Sequence, residues 1–348
     1  MNPYTNRLII RNPENFYNRK TEIAKIFSRI SGSRPQSISV VGERRVGKSS
    51  LLYYICNESV GRKFLEDLED YIFVFCDLQE KTDMDIDDFF TLVAKKIAIE
   101  IRKFSERDLF EKVTYDSFLK LIQELDRSKK KIILAFDEFD VVTKNENFGS
   151  EFFSYLRSLA NSYNVAYITS SRKDLQELCH TEGGIEYSPF FNIFTHMPIG
   201  PFDRESALEL IREPSKREDI PLEEYSEFIF ELAGFHPFFL QIACSNMFEY
   251  LDLHGSIDEE GFQNVEENFF EEAEDHFEYM WNHLKDGEKR CLSTIAESEE
   301  SMDRKLQFIA KKLVKRGFLT KDGGDYKIFS EPFKNFILCA IEEEKHLG

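Results

Sequence analysis

The sequence predicts an α/β chain in which a largely parallel sheet carries helices on both faces, followed by a helical lid and a unit of helices that run into a β-hairpin. Three observations carry this. From about Ser37 to Gly200, short apolar runs rich in β-formers alternate with helical segments, the pattern of repeated βαβ units. After Gly200-Pro201-Phe202 the strand signal stops and Asp203–Tyr250 reads as helices, with Asp203 as an N-cap and Glu205 in the first turn. From about Ile257 a long acidic helix, then Asp286–Glu297 and Arg304–Arg316, precede a hairpin over Phe318–Phe329 and a last helix from Pro332, the order of a winged helix. No internal repeat or low-complexity linker interrupts the chain, so changes of pattern set the boundaries at 1–200, 201–256 and 257–348.

Five strands are expected in the first region: Ser37–Val41, Tyr71–Cys76, Lys131–Phe136, Val165–Thr169 and Phe191–Pro198. The first runs directly into Gly42-Glu43-Arg44-Arg45-Val46-Gly47-Lys48-Ser49, and Ser50-Leu51-Leu52-Tyr53-Tyr54-Ile55 continues as a helix. Strand, glycine-bounded loop, lysine and helix in this order make a phosphate-binding P-loop. The glycines let successive backbone N–H groups turn inward on the β- and γ-phosphates, and the helix presents its positive end to the same anion. Lys48 neutralises phosphate charge, and Ser49 offers its hydroxyl to Mg²⁺. Arg44 and Arg45 lie within the loop, where backbone groups do the cradling, so their side chains are expected to point away from the β-phosphate, within reach of a neighbouring subunit.

Lys131-Ile132-Ile133-Leu134-Ala135-Phe136-Asp137-Glu138 is an apolar strand ending in two carboxylates, at the sheet edge where α/β folds present their ligands. Asp137 is expected to hold the Mg²⁺ shell through water, and Glu138 to polarise the water that attacks the γ-phosphate. Asp140 is a third candidate for that shell. The strand Tyr71–Cys76, lying between the P-loop strand and the acidic strand, suggests the branch of P-loop folds whose catalytic glutamate sits beside the Mg²⁺ aspartate. Asp77, at its end, either orients the attacking water or caps a turn, with the cap favoured. Val165–Thr169 leads into Ser170-Ser171-Arg172, whose polar groups could reach the γ-phosphate or the water. Arg172 has two even readings, a reporter of the third phosphate or an arginine paired with a nearby carboxylate. No Asn-Lys-x-Asp guanine-reading motif occurs, so ATP and ADP are the default nucleotides.

Composition bounds what remains. With 348 residues, 42% hydrophobic, the chain can fill two or three domains, for which 34 Phe and 14 Tyr supply volume. No apolar stretch of membrane-spanning length occurs and the first residues lack a signal-peptide profile, which places the chain in the cytosol with no membrane partner. The six cysteines are far apart, without metal-ligand spacing, and read as reduced, buried thiols. A net charge of −19 argues against coating nucleic acid with the whole surface. It leaves room for a local basic patch: Arg304, Lys305, Lys311, Lys312, Lys315 and Arg316 fall together without an acid. Either they read DNA from a winged helix, or they form the solvated face of a helix whose Leu306, Ile309, Ala310 and Leu313 point inward, with pairing against the acidic stretch Asp258–Glu278 as an option; the second reading is favoured.

Phe16-Tyr17-Asn18-Arg19-Lys20-Thr21-Glu22, the P-loop with its double arginine, Phe136-Asp137-Glu138, Ser170-Ser171-Arg172, Gly200-Pro201-Phe202 and Gly234-Phe235-His236-Pro237-Phe238-Phe239-Leu240-Gln241 together resemble the STAND-type, AAA+-like regulatory ATPases. The resemblance implies an ATPase core, a helical lid and a winged helix that switch between ADP-closed and ATP-open forms, often with oligomerisation. It lays Arg19 and its neighbours over the adenine and brings Pro237 to the base or phosphates; His236 is a packed lid residue with no chemistry. Two departures stand out. Phe235 occupies the place of the glycine that normally sits two residues before the lid proline, with Gly234 displaced by one, and Pro237–Tyr250 contains no arginine. The second departure favours a slow switch over a processive motor. Such proteins usually carry a further repeat or effector domain after the winged helix, and this sequence stops at Gly348, so a signalling role is expected to need a protein partner or a homo-oligomer, or to make the chain a module of a larger system. The other function class is a DNA-binding loader or helper ATPase whose winged helix grips duplex DNA through Lys311, Lys312, Lys315 and Arg316.

Overall fold

Five strands, β1 (Ser37–Val41), β2 (Tyr71–Asp77), β3 (Lys131–Asp137), β4 (Val165–Ser171) and β5 (Phe194–Pro198), pair in parallel in the order β2-β3-β4-β1-β5. The computed structural model describes residues 1–5, 7–80, 82–101, 112–179, 189–297 and 303–347. They divide into two units, one of Ile9–Ile199 and one of Met1–Leu8 with Gly200–Gly348.

In the first unit the helices are α1 (Lys20–Ile30), α2 (Lys48–Ile55), α3 (Glu58–Phe64), α4 (Ile86–Ile101), α5 (Tyr115–Arg127), α6 (Asp140–Lys144), α7 (Ser150–Ser162) and α8 (Leu175–Cys179). Strand alternation sorts the core into two layers. Ile38, Val40, Ile133, Ala135, Ala166 and Ile168 turn toward Ile23, Ile26, Phe27, Leu51 and Leu52 of α1 and α2. Ile132, Leu134, Phe136 and Tyr167 turn the other way, toward the aromatic cluster of Phe89, Phe90, Phe118, Phe152 and Phe153 from α4, α5 and α7. Because both faces are covered, β3 and β4 read as nearly continuous apolar runs rather than alternating ones.

The sheet corrects two expectations. The strand lodged between the P-loop strand and the acidic strand is β4, whereas β2, the Tyr71–Cys76 expectation, lies at the edge beyond β3. Chain order could not show this, because a parallel neighbour is reached by a crossover of any length that packs. The last strand starts at Phe194, since Pro189–Ile193 forms a 3₁₀ turn; β3 and β4 instead run on to Asp137 and Ser171.

The second unit holds α9 (Arg204–Arg217), α10 (Ser226–Ala233), α11 (Pro237–His254), α12 (Glu259–Asn282), α13 (Asp286–Ala296), α14 (Arg304–Arg316), the antiparallel pair β6 (Leu319–Asp322) and β7 (Asp325–Ile328), and α15 (Glu331–Leu347). Asp203 caps α9 through the Ser206 N–H at 2.8 Å. Pro214 lies inside α9, where it cannot donate a backbone bond. One residue on, the buried Tyr4 hydroxyl enters the ladder, donating to the Ile211 carbonyl and accepting from the Ser215 N–H at 3.1 Å. Met1–Leu8 is thereby fastened to this unit, also through Asn2 on Ser245 (2.8 Å) and Arg7 on Glu272 (3.0 Å).

α12 buries Gly261, Val265, Phe269, Ala273, Phe277 and Trp281, a stripe at i, i+4 spacing, and leaves its acids exposed. Phe239 of α11 and Phe333 of α15 pack on Phe277, with ring centres 5.0 and 5.1 Å away. Cys76, Cys244 and Cys291 are buried free thiols and Cys56 is half-buried, but Cys339 is exposed, against the expectation of burial. Among the described residues no helix is long and apolar enough to cross a membrane, and no group of His, Cys, Asp and Glu has the arrangement of a metal-binding cluster.

Candidate nucleotide-binding site

The P-loop leaves β1 at its C-terminal end, where Gly42 N–H bonds the Ser171 carbonyl of β4 at 3.2 Å. A side chain at Gly42 would place its Cβ 2.4 Å from the Ile199 carbonyl oxygen. Gly47 has φ 94°, a left-handed value that lets the loop turn into α2 without steric cost. Arg45 is also left-handed, at φ 69°, and both loop arginines are exposed. Val46 is fully buried in the α1–α2 layer, which anchors the loop from below.

Lys48 is buried, and its Nζ donates to the carbonyls of Gly42 and Glu43 at 3.0 Å each, so the ammonium spans the mouth of the loop. Burial pulls it below the ordinary lysine range, against the opposing pull of Glu138, Asp137, Asp140 and Glu43. A group in that position gains most from an added anion.

Asp137 ends β3 beside this lysine and is 2% exposed. Burial raises its carboxyl above the usual aspartate range, while hydrogen bonds from Ser170 and Ser49 and the Lys48 charge act in the opposite direction; Asp77, its partner across β2, adds to the rise. Glu138 is half-buried and raised as well, first by burial and then by Asp137 and Asp140 against the pull of Lys48 and Arg172.

The residue that ties the pair together is Ser170. Its hydroxyl donates to Asp137 Oδ1 and accepts from the Glu138 N–H at 2.9 Å, while its own carbonyl accepts from Phe139 N–H at 2.9 Å. Glu138 is held at φ 51°, an uncommon conformation for a non-glycine residue that needs such support. Ser170 was expected only as one of several polar groups near the phosphate. The signal for its bridging role is register: Phe136 faces Thr169, so the residue after each comes side by side at the strand ends.

Other expected residues are placed as follows. Asp140 is buried, accepts from the Arg172 N–H at 3.2 Å and lies 4.0 Å from Lys144, so it braces the turn after β4. Asp77 accepts from Gln79 N–H at 2.9 Å, the capping role favoured for it. Ser50 accepts from the Ile10 N–H at 3.1 Å. Arg19 is 6% exposed, with its guanidinium bonded to the Val46 carbonyl and to Glu22. Pro237 belongs to the other unit, where it opens α11 as its first residue; His236 before it is buried beside the Phe239 ring.

On α14 the lysines form a solvated face, the favoured reading of the sequence. Arg316 bonds Glu288 at 2.6 Å, Lys312 lies over the Phe308 ring, and among the described residues Lys311, Lys312 and Lys315 make no ion pair with α12. The reason is geometric: Leu306, Ala310 and Leu313 face inward, so the lysines three and four residues apart face solvent.

The donor set suits a magnesium nucleotide. A serine hydroxyl bonded to a buried carboxylate, next to a buried ammonium and a loop of left-handed residues, offers hard oxygen ligands and anion donors together. Parallel sheet, P-loop and acidic strand end define a P-loop NTPase of AAA+-like architecture. The chain belongs to the nSTAND2 family, described as novel STAND NTPase 2, whose model matches residues 32–301. No curated protein sequence matches it. Among solved structures it is similar to a Walker-type ATPase of Pyrococcus abyssi, at 16% identity and TM-score 0.66, covering 96% of this chain and 99% of that one. It is also similar to the ORC2 protein of Aeropyrum pernix in ADPNP–ADP complexes, at 12% identity and TM-score 0.60 over 99% and 98% of the two chains. The ORC1 protein of the same organism, in complex with DNA, follows at 12% identity and TM-score 0.50 over 99% and 97%. At such identities the likeness concerns the fold.

Proposed function

We propose that this chain binds ATP and Mg²⁺ through the P-loop and hydrolyses ATP slowly, as a regulatory switch that cycles between ADP-closed and ATP-open forms and acts through a partner or a homo-oligomer. The observation that carries the reading is the buried Lys48 ammonium beside the Asp137–Ser170–Glu138 bridge. Gly42, Glu43, Arg44, Arg45, Val46 and Gly47 supply the loop that wraps the phosphates, and Ser50 continues it into α2. Lys48 balances the phosphate charge. Ser49 and Asp137 hold the metal, which when bound neutralises charge on the phosphate oxygens. Glu138 accepts a proton from the attacking water; its raised carboxyl is a stronger base than a solvated glutamate. Arg172, whose charge acts on Glu138, reports the third phosphate. The absence of an arginine in Pro237–Tyr250 supports slow turnover.

The test is the nucleotide that copurifies with the protein, together with turnover and molecular mass before and after ATP is added. Bound adenine nucleotide, slow phosphate release and a change of mass support the switch; a wild-type protein that retains no nucleotide at millimolar ATP and Mg²⁺ overturns it.

A second reading, DNA binding that ATP controls, is favoured by the outward face of α14. Arg304, Lys305, Lys311, Lys312 and Lys315 are exposed there without an acid among them, and Lys321 and Lys327 of the following hairpin are exposed too. A single convex basic helix fits a major groove, whereas pairing with another charged helix would yield only weak surface contacts. Affinity for duplex DNA should fall with salt at a slope of about −0.9 per phosphate contacted, and neutralising Lys311, Lys312, Lys315 and Arg316 should flatten that slope. Salt-independent or absent binding removes this reading and leaves the ATP switch standing.

A further inference from the structure

We infer that Arg19 is a positioning residue that sets the phosphate loop for its anion, rather than a residue that reads the base. The inference rests on the P-loop reading above, and deepens it. Contacts that join the segment before α1 to the loop and its helix include Ile10 N–H to Ser50 Oγ at 3.1 Å, the Phe16 ring stacked on Tyr54 at 4.2 Å, and Arg19 Nη2 to the Val46 carbonyl at 2.9 Å. The last of these acts on the loop backbone itself.

The peptide between Val46 and Gly47 is planar and trans, so its C=O and N–H point in opposite directions. Drawing the Val46 oxygen onto Arg19 therefore turns the Gly47 N–H away from α1. That N–H is one of those a P-loop points at phosphate. Without the guanidinium, the buried carbonyl would have to find another donor, and the peptide would be free to flip.

Arg19 is itself over-determined. It sits at φ 63°, directly after Asn18 at φ 63°, a pair of left-handed residues that swings the chain into α1. Its Nη1 bonds Glu22 Oε1 at 3.1 Å, and its carbonyl accepts the first helical bond, from Ile23 N–H at 2.9 Å. Glu22, in the first turn of α1, is three-quarters buried and fixes the plane of the guanidinium. One planar group thus holds a helix start and a loop carbonyl at once. Lysine, a compact point charge on a flexible stem, lacks the planar fork that fixes both acceptors in one plane.

The experiment separates this role from base contact by using a ligand with no base. Affinities of ATP, GTP and inorganic tripolyphosphate, each with Mg²⁺, are measured for the wild type and for Arg19→Gln, Arg19→Lys and Glu22→Gln, with Lys48→Ala as the control for the site. A positioning role weakens all three ligands by the same factor, about tenfold or more for Arg19→Gln, the scale of losing a charged hydrogen bond to a buried acceptor. Arg19→Lys then recovers only part of the loss, and Glu22→Gln, which keeps the arginine, lowers all three in parallel by less. Hydrogen exchange at the Gly47 amide should speed up in Arg19→Gln while α2 stays protected. Loss confined to ATP with tripolyphosphate unchanged overturns the inference in favour of base contact, and unchanged affinity for all three overturns it outright. If Arg19→Gln does not fold, the parallel loss in Glu22→Gln decides. Tripolyphosphate that fails to bind the wild type, or binds Lys48→Ala equally, instead counts against the P-loop reading.

Discussion

Charge is handled in opposite ways in two regions of this chain. Around the P-loop, Lys48 and Asp137 are buried and both have partners: backbone carbonyls for the ammonium, two serine hydroxyls for the carboxylate. On α12 and α14 the charges are sorted by sign, nine acids without Lys or Arg on one helix and six cations without an acid on the other, and all but Arg316, paired with Glu288, are exposed. Burying charge costs several kcal/mol per ion and is worth retaining where another charge is to be bound. Exposed charge costs little and acts through its field. The first region is arranged to suit one small anion; the second leaves its charge in solvent, where it acts through its field.

The most severe way to break the contrast is Lys48→Ala. ATP affinity should fall on the order of a hundredfold or more, as when one member of a buried charge contact is removed, with little change in the circular dichroism spectrum. Equal nucleotide retention by wild type and variant would contradict the site. Glu138→Gln should slow hydrolysis by about a hundredfold or more while bound ATP accumulates, read by quenched single-turnover assays. If hydrolysis is unaltered, Glu138 is not the base.

A smaller effect is expected of Ser170→Ala, which releases both Asp137 and the Glu138 backbone: a loss in turnover of about tenfold at nearly constant ATP affinity, with Ser170→Thr recovering part of it. A fall in affinity alone would assign Ser170 to binding rather than to alignment.

The pH dependence sharpens the same contrast. Asp137 and Glu138 have carboxyls raised mainly by burial, so between the unfolded value of about 4 and the raised folded value the native state binds more protons than the unfolded one. Stability from these two groups therefore falls as pH rises through that window. Activity, which needs them ionised, rises through the same window. Asp137→Asn should remove turnover yet leave the melting temperature at pH 7 equal or higher; a clear drop would mean that the carboxylate stabilises the fold.

Least costly of all, joint replacement of Lys311, Lys312 and Lys315 by Ala should change stability by only about 0.5 kcal/mol per site or less and leave ATP binding unaltered. Any fall in ATP affinity would show that the two regions are not energetically separate.

Local sequence was enough for the P-loop, for the acidic strand end, for the helices after Gly200 and for the hairpin, because each depends on short-range rules: a glycine where backbone must turn, a period of two or of 3.6, an Asp before a helix. The i, i+4 stripe of α12 and the Asp203 cap follow from the same rules. Tertiary structure decided what depends on neighbours distant in the chain. Only strand order could show that β4 lies against β3 and brings Ser170 beside Asp137. Only packing could place Arg19 under the Val46 carbonyl and seat Tyr4 in the ladder of α9. Such contacts arise when separate elements bury their apolar faces together, and no local pattern records which polar group will then meet which.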